Sequence, residues 1–275
     1  MNIKEIDDNQ KIYDIIKNGN PVAIGKIGAN ELNYLLLSFV NNEKIKEIFT
    51  NNIIYGAGLY PRELIDNFMN ECYLECLTDV DVFAEWNENK EFEKHLINLK
   101  APKSLRVELR SLEPYYFHFK WTEFLENKKV LIISPFTDSI SEQLKIKDKI
   151  WNNNLLPNFE PKYLKFPLSY HLQGKDKQSN YPENCIDLLN NFKNEMNNID
   201  FDIALIGTGI YGLPLAVHAK RLGKIGYHLG GALQILFGIK GKRWDEYSFY
   251  NEYWIRPSND EIPEHKDYCE NGCYW

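Results

Sequence analysis

Lys129 to Ser134 is the clearest strand in the first half of the chain, and its centre, Val130-Leu131-Ile132-Ile133, is an aliphatic run with no polar residue in it. A strand with one wet face alternates apolar and polar residues; a strand without that alternation is covered on both sides. Further strand-like runs occupy 22–27, 52–55, 80–84, 104–109, 201–206 and 225–229, with a weaker one at 163–166. Helical patterns separate them at 4–18, 30–40, 91–99, 139–151, 185–197 and 213–222, with another helix opening at Pro61. The stripe of the first helix is Ile6, Ile12, Ile15 and Ile16. Strands alternating with helices predict an α/β fold, a mainly parallel, doubly wound, Rossmann-like sheet with helices on both faces.

No repeat, low-complexity linker or charge block divides the 275 residues. The expectation is one α/β domain over 1–275, separable into lobes 1–127 and 128–246 with a tail at 247–275. That tail is rich in aromatics, among them Tyr250, Trp254, Tyr274 and Trp275. Such residues seldom stay exposed, so the tail is expected to pack back on the domain, either walling a sugar-binding cleft or forming a homodimer interface.

The formal net charge of −7 argues against nucleic acid as a partner, because neutralising phosphates takes clustered Lys and Arg. Residues 1–8 have no apolar core of the secretory kind, and no apolar run is long enough to span a bilayer. The expected location is cytoplasmic, without a membrane span. Five cysteines make no disulfide framework in a chain of this length. Cys72 and Cys76 share a helical face and could hold zinc, although burial as small apolar side chains is the favoured reading.

Parallel sheets bind ligands beyond the C-terminal ends of their strands, which directs attention to four loops. One is Gly25-Lys26-Ile27-Gly28-Ala29-Asn30-Glu31, with a lysine and an acid at the entry to a helix. The others are Gly56-Ala57-Gly58-Leu59-Tyr60-Pro61, Ser134-Pro135-Phe136-Thr137-Asp138, and Gly207-Thr208-Gly209-Ile210-Tyr211-Gly212. Glycine-rich turns of this kind let backbone N–H groups approach a phosphate closely.

The last loop has the G-x-G-x-x-G spacing of dinucleotide sites. That reading requires an acid about 20 residues on to hold the ribose. The following strand, Ile225-Gly226-Tyr227-His228-Leu229-Gly230-Gly231, has none, which disfavours both an NAD enzyme and a methyltransferase. Close helix–strand packing is the alternative use of these glycines. His228, just before Gly230, is either a core histidine or a site residue. Lys242 and Arg243, followed by Trp244, are either a solvated turn or a grip for a diphosphate.

Taken together, Lys26-Ile27-Gly28-Ala29-Asn30-Glu31, the block 202–224, His228-Leu229-Gly230-Gly231-Ala232-Leu233 and Phe237-Gly238 resemble GT-D-type glycosyltransferases. The similarity spans most of 20–245. It implies transfer of a sugar from a nucleoside diphosphate, UDP in this reading, to a glycan acceptor. The family's turn reads R-F-G-D-G-E, and its Asp and Glu form a pair that helps place a divalent metal, Mn2+ or Mg2+. Here Glu31 matches the Glu and Lys26 replaces the Arg, while Ala29 stands where the Asp would be. Glu31 is then the base or a lone metal ligand, and His228 a second catalytic candidate. Lys26, Gly28, Asn30, Tyr60, Phe136, Gly207, Thr208, Gly209, Tyr211, Gly212, Gly230, Lys242 and Arg243 are the expected donor-binding set. Two other readings stay open: a nucleotide- or sugar-phosphate-binding protein without transfer, and a structural partner in glycan assembly.

Overall fold

The computed structural model describes residues 2–39, 42–151, 154–169 and 181–275. Its centre is a seven-stranded sheet made of β1 (Val22–Lys26), β2 (Val82–Glu85), β3 (Leu105–Glu108), β4 (Lys129–Ser134), β5 (Glu160–Lys165), β6 (Ile203–Ile206) and β7 (Ile225–His228). The order is β3-β2-β1-β7-β6-β4-β5, and every neighbouring pair is parallel. Both halves of the sequence contribute to this one sheet, joined where Ile24 of β1 pairs with Tyr227 of β7.

The strands are buried on both sides, and their residues divide by parity. Ala23, Leu131, Ile133, Ala204 and Ile206 face one core, under the helices Cys185–Asn197 and Gly212–Arg221. Val22, Ile24, Val130, Ile132, Ile203, Leu205 and Tyr227 face the other, with Ile12 and Ile16 of the helix Ile3–Lys17 and Trp275 of the tail. Of the expected stripe on that first helix, Ile6 is 40% exposed, and the inward positions next to Ile12 are instead Asp8 and Asn9. Asp8 is compensated by Lys4, Lys11 and the backbone N–H of Glu108.

Two local expectations fail. Residues 52–55 are not a strand: the helix Glu43–Asn51 runs on into a wider turn, Asn52–Gly56, which buries Ile53 and Ile54 on one side. A short apolar run has no period of its own, so a buried helical turn and a strand look alike. The helix expected over 139–151 is broken into Thr137–Leu144 and Lys147–Ile150. The helix expected over 30–40 is α-helical over Ala29–Leu35 and tightens over Leu36–Phe39, with Val40 outside the described residues.

The tail packs back as expected. Trp275 is buried, lies 6.1 Å from the Phe136 ring, and donates its indole N–H to the Glu261 carbonyl at 2.8 Å. Cys72 and Cys76 are free thiols in a helical segment, and burial raises the pKa of both. No helix among the described residues is long and apolar enough to cross a membrane.

The helix Gly212–Arg221 lies against β1, β6 and β7 at very short range. A Cβ on Gly226 would fall 2.0 Å from the Ala216 carbonyl oxygen, a backbone atom that cannot swing away. Gly226→Ala is therefore expected to lower stability by about 1–3 kcal/mol in a urea melt. A melt superimposable on that of the wild type would show that the helix shifts freely.

Candidate functional site

The C-terminal ends of all seven strands open into one cleft of about 890 Å3. This is within the size range of small-molecule sites. The loop after β1 supplies Lys26, Gly28, Asn30 and Glu31; β4 supplies Ser134 and Phe136; β6 supplies Gly207, Thr208 and Gly209. His228 and Gly230 come from β7, and Arg243 from the turn Lys242–Trp244.

Glu31 stands in the first turn of the helix Ala29–Leu35, and its carboxylate folds back over the helix start. The fold-back needs Gly28, because a Cβ there would lie 2.0 Å from Glu31 Oε2. Only 7% of Glu31 is exposed. Burial pushes its pKa up to about 7, assisted by the carboxylate of Glu270 and opposed by its own backbone N–H and by Lys26. A carboxyl that titrates near neutrality can take up a proton from a substrate hydroxyl at working pH.

Lys26 ends β1 with its Nζ 5.2 Å from the centre of the Trp86 ring. Burial lowers its pKa, against the pull of Glu113, and it makes no ion pair among the described residues. Thr208 is 6% exposed, and its Oγ1 has no hydrogen-bond partner among the described residues. A buried hydroxyl left unpaired among the described residues and a lysine that acids surround without an ion pair thus share one cleft. His228 is 6% exposed, and burial, followed by the charge of Lys26, drives its pKa down to about 3. Its imidazole is neutral at physiological pH, fit for hydrogen bonding and not for charge. Arg243 pairs with Glu270 and is flanked by the rings of Tyr274 and Trp244, at 4.9 and 5.6 Å.

Four expected site residues lie elsewhere. Tyr60 is in the core, its hydroxyl donating to the Pro182 carbonyl. Tyr211 is fully buried between Phe68 and Phe166, and donates to the Gly58 carbonyl. Gly212 opens the helix Gly212–Arg221 and backs against the His228 ring. Lys242 points to solvent. In its place the cleft gains Trp86, Glu113 and Glu270. Trp86 follows β2 and was findable by the strand-end rule, whereas Glu113 and Glu270 come from segments with no motif.

The donor set does not suit the divalent metal that the D-x-E turn would serve. Ala29 has no ligand atom, Glu270 is taken by Arg243, and no group of three His, Cys, Asp or Glu among the described residues could hold a metal. A hard cation wants several oxygens. No protein family, curated protein or solved structure matches this chain.

The burial of Glu31 has a signature in stability. Its carboxyl ionises near 4.5 when unfolded and near 7 when folded, so folding takes up a proton in that window. The stability tied to protonated Glu31 is full below the lower value and lost as pH rises through the upper one, about 3 kcal/mol in all. Glu31→Gln should therefore gain on the wild type by about that amount between pH 4.5 and 8, read from denaturant melts. A constant difference between the two proteins across this range would mean the carboxyl is solvated.

Proposed function

We propose that the chain is a glycosyltransferase that moves a sugar from a nucleoside diphosphate, UDP in our reading, to a glycan hydroxyl in the cytoplasm. The observation that carries this reading is that Glu31 and Lys26 line one cleft. A buried carboxyl titrating near 7 stands there with a lysine that makes no ion pair among the described residues. The segments that resemble GT-D-type enzymes also support it. Residues 26–31 and 206–233 are far apart in sequence, yet β1 lies beside β7, and their loops meet in one cleft.

In this reading Glu31 accepts the acceptor's hydroxyl proton as that oxygen bonds to the anomeric carbon. The bond from that carbon to the diphosphate breaks, and the diphosphate leaves with the electron pair. Lys26, Arg243 and the Thr208 hydroxyl meet the charge that develops on it. His228, neutral, orients a hydroxyl. Trp86 and Trp244 offer flat faces to base or sugar. Ala29 favours a second reading, a nucleotide-binding protein without transfer. Donor turnover separates the two.

Glu31→Gln should lower kcat by about 10²–10⁴-fold, the usual share of a general base, with the fold retained. Donor turnover near the wild-type rate would remove Glu31 from the chemistry. Activity in excess chelator should stay within about tenfold of that with added Mn2+, since cationic side chains take the place of a metal. A fall of two orders of magnitude in chelator would point to carboxylates that complete a metal site.

A further inference from the structure

Arg243 presents a contradiction within the cleft. Its guanidinium lines the cleft with two aromatic rings against it, yet a carboxylate from the chain itself sits on it. Glu270 is not a passive surface partner. Its carboxylate also accepts from the Tyr274 hydroxyl at 3.3 Å and the Cys273 thiol at 3.4 Å. The backbone that delivers it is left-handed at three successive residues, with φ of 48° at Glu270, 56° at Asn271 and 70° at Gly272. Only the last of these is a glycine, so the turn is held in a conformation that L-residues avoid.

The flanks of this turn are fixed. Trp275 is buried, Gln234 donates to the Tyr274 carbonyl at 2.7 Å, and the Arg243 N–H bonds the Cys273 carbonyl at 3.0 Å. The paired side chains themselves remain open, Arg243 41% and Glu270 35% exposed. The Arg243 backbone is thus held in place independently of the Glu270 carboxylate, while the acid has room to leave.

We infer that Arg243 is a phosphate site occupied in the resting protein by Glu270, which stands in for a diphosphate and swings out when one binds. The ligand class is a pyrophosphate group, free or at the end of a nucleotide. This rests on the proposed reading of the cleft and adds its regulation. A weak or singly charged anion cannot displace a carboxylate that brings its own hydrogen bonds, whereas a diphosphate reaching both Arg243 and Lys26 can. Expelling Glu270 also removes one of the acids facing Lys26, Glu31 and Glu113, which would otherwise repel the incoming anion.

The test is calorimetric titration of the full chain with inorganic pyrophosphate, UDP and uridine. Glu270→Gln should bind pyrophosphate and UDP at least tenfold more tightly than the wild type, with uridine unaffected. The double variant Arg243→Met/Glu270→Gln should lose that gain. Equal or weaker binding by Glu270→Gln, or binding by neither protein, would overturn the proposal. So would a gain that survives in the double variant. If Glu270→Gln does not fold, the Arg243 Nε–H resonance of the wild type decides: it should move on saturation with pyrophosphate, and an unmoved resonance refutes displacement. None of these readings uses sugar transfer. A protein that binds pyrophosphate in this way but turns over no donor would sink the glycosyltransferase reading and leave the displacement standing.

Discussion

The arrangement rests on how closely the helix Gly212–Arg221 seats on the sheet. Three side chains are missing at that one contact. Cβ atoms on Gly25, Gly212 and Gly226 would lie 2.6 Å from Leu213 Cδ1, 2.0 Å from His228 Nδ1 and 2.0 Å from the Ala216 carbonyl oxygen. Protein interiors have no slack for such overlaps. The close seating lets β7 lie between β1 and β6 with the helix over all three, and it presses the His228 ring into the gap. The turn after β6 and the end of β1 then line one cleft, with Thr208 and Lys26 among its residues.

Burying Lys26, Glu31 and Glu113 in that cleft is a poor way to gain stability. Desolvation opposes each charge, and apolar residues of the same volume would hold the fold at least as well. Ion pairs such as Arg62–Glu47 and Arg221–Asp79 lie on the exposed surface, where they cost little and contribute little. The concentration of costly groups at the strand ends, away from the two apolar cores, is the physical reason to place chemistry there.

Much of this was legible in the sequence because burial on both faces leaves an unmistakable run: β4 was bounded to the residue. The loops after β1, β4 and β6 were legible through their position after strands, two of them also through their glycines, whereas the loop 56–61 follows a helical turn and not a strand. Tyr60 and Tyr211 were misplaced for a definite reason. Each sits in a glycine-bearing loop, yet its hydroxyl finds a backbone carbonyl inside the protein, which lets the whole ring stay in the core. Glu270 was beyond reach, since its place depends on a tail that crosses the molecule and turns through three left-handed residues.

The G-x-G-x-x-G stretch shows how one spacing serves different ends. In a dinucleotide site the glycines admit pyrophosphate and the next strand ends in an acid for the ribose. Here Gly207 is required by the Gly230 carbonyl, 2.9 Å from where its Cβ would be, and Gly212 by the imidazole of His228. Only the middle of the turn, Gly207 to Ile210, opens to the cleft. The next strand ends in a histidine that burial keeps neutral, so the charge opposite the turn comes from Lys26 of β1 instead. The strand that follows the turn thus ends in a neutral ring, with no acid at the usual place for ribose hydroxyls. The glycines therefore set the distance between helix and sheet, and the neighbouring strand ends decide which chemistry that distance serves.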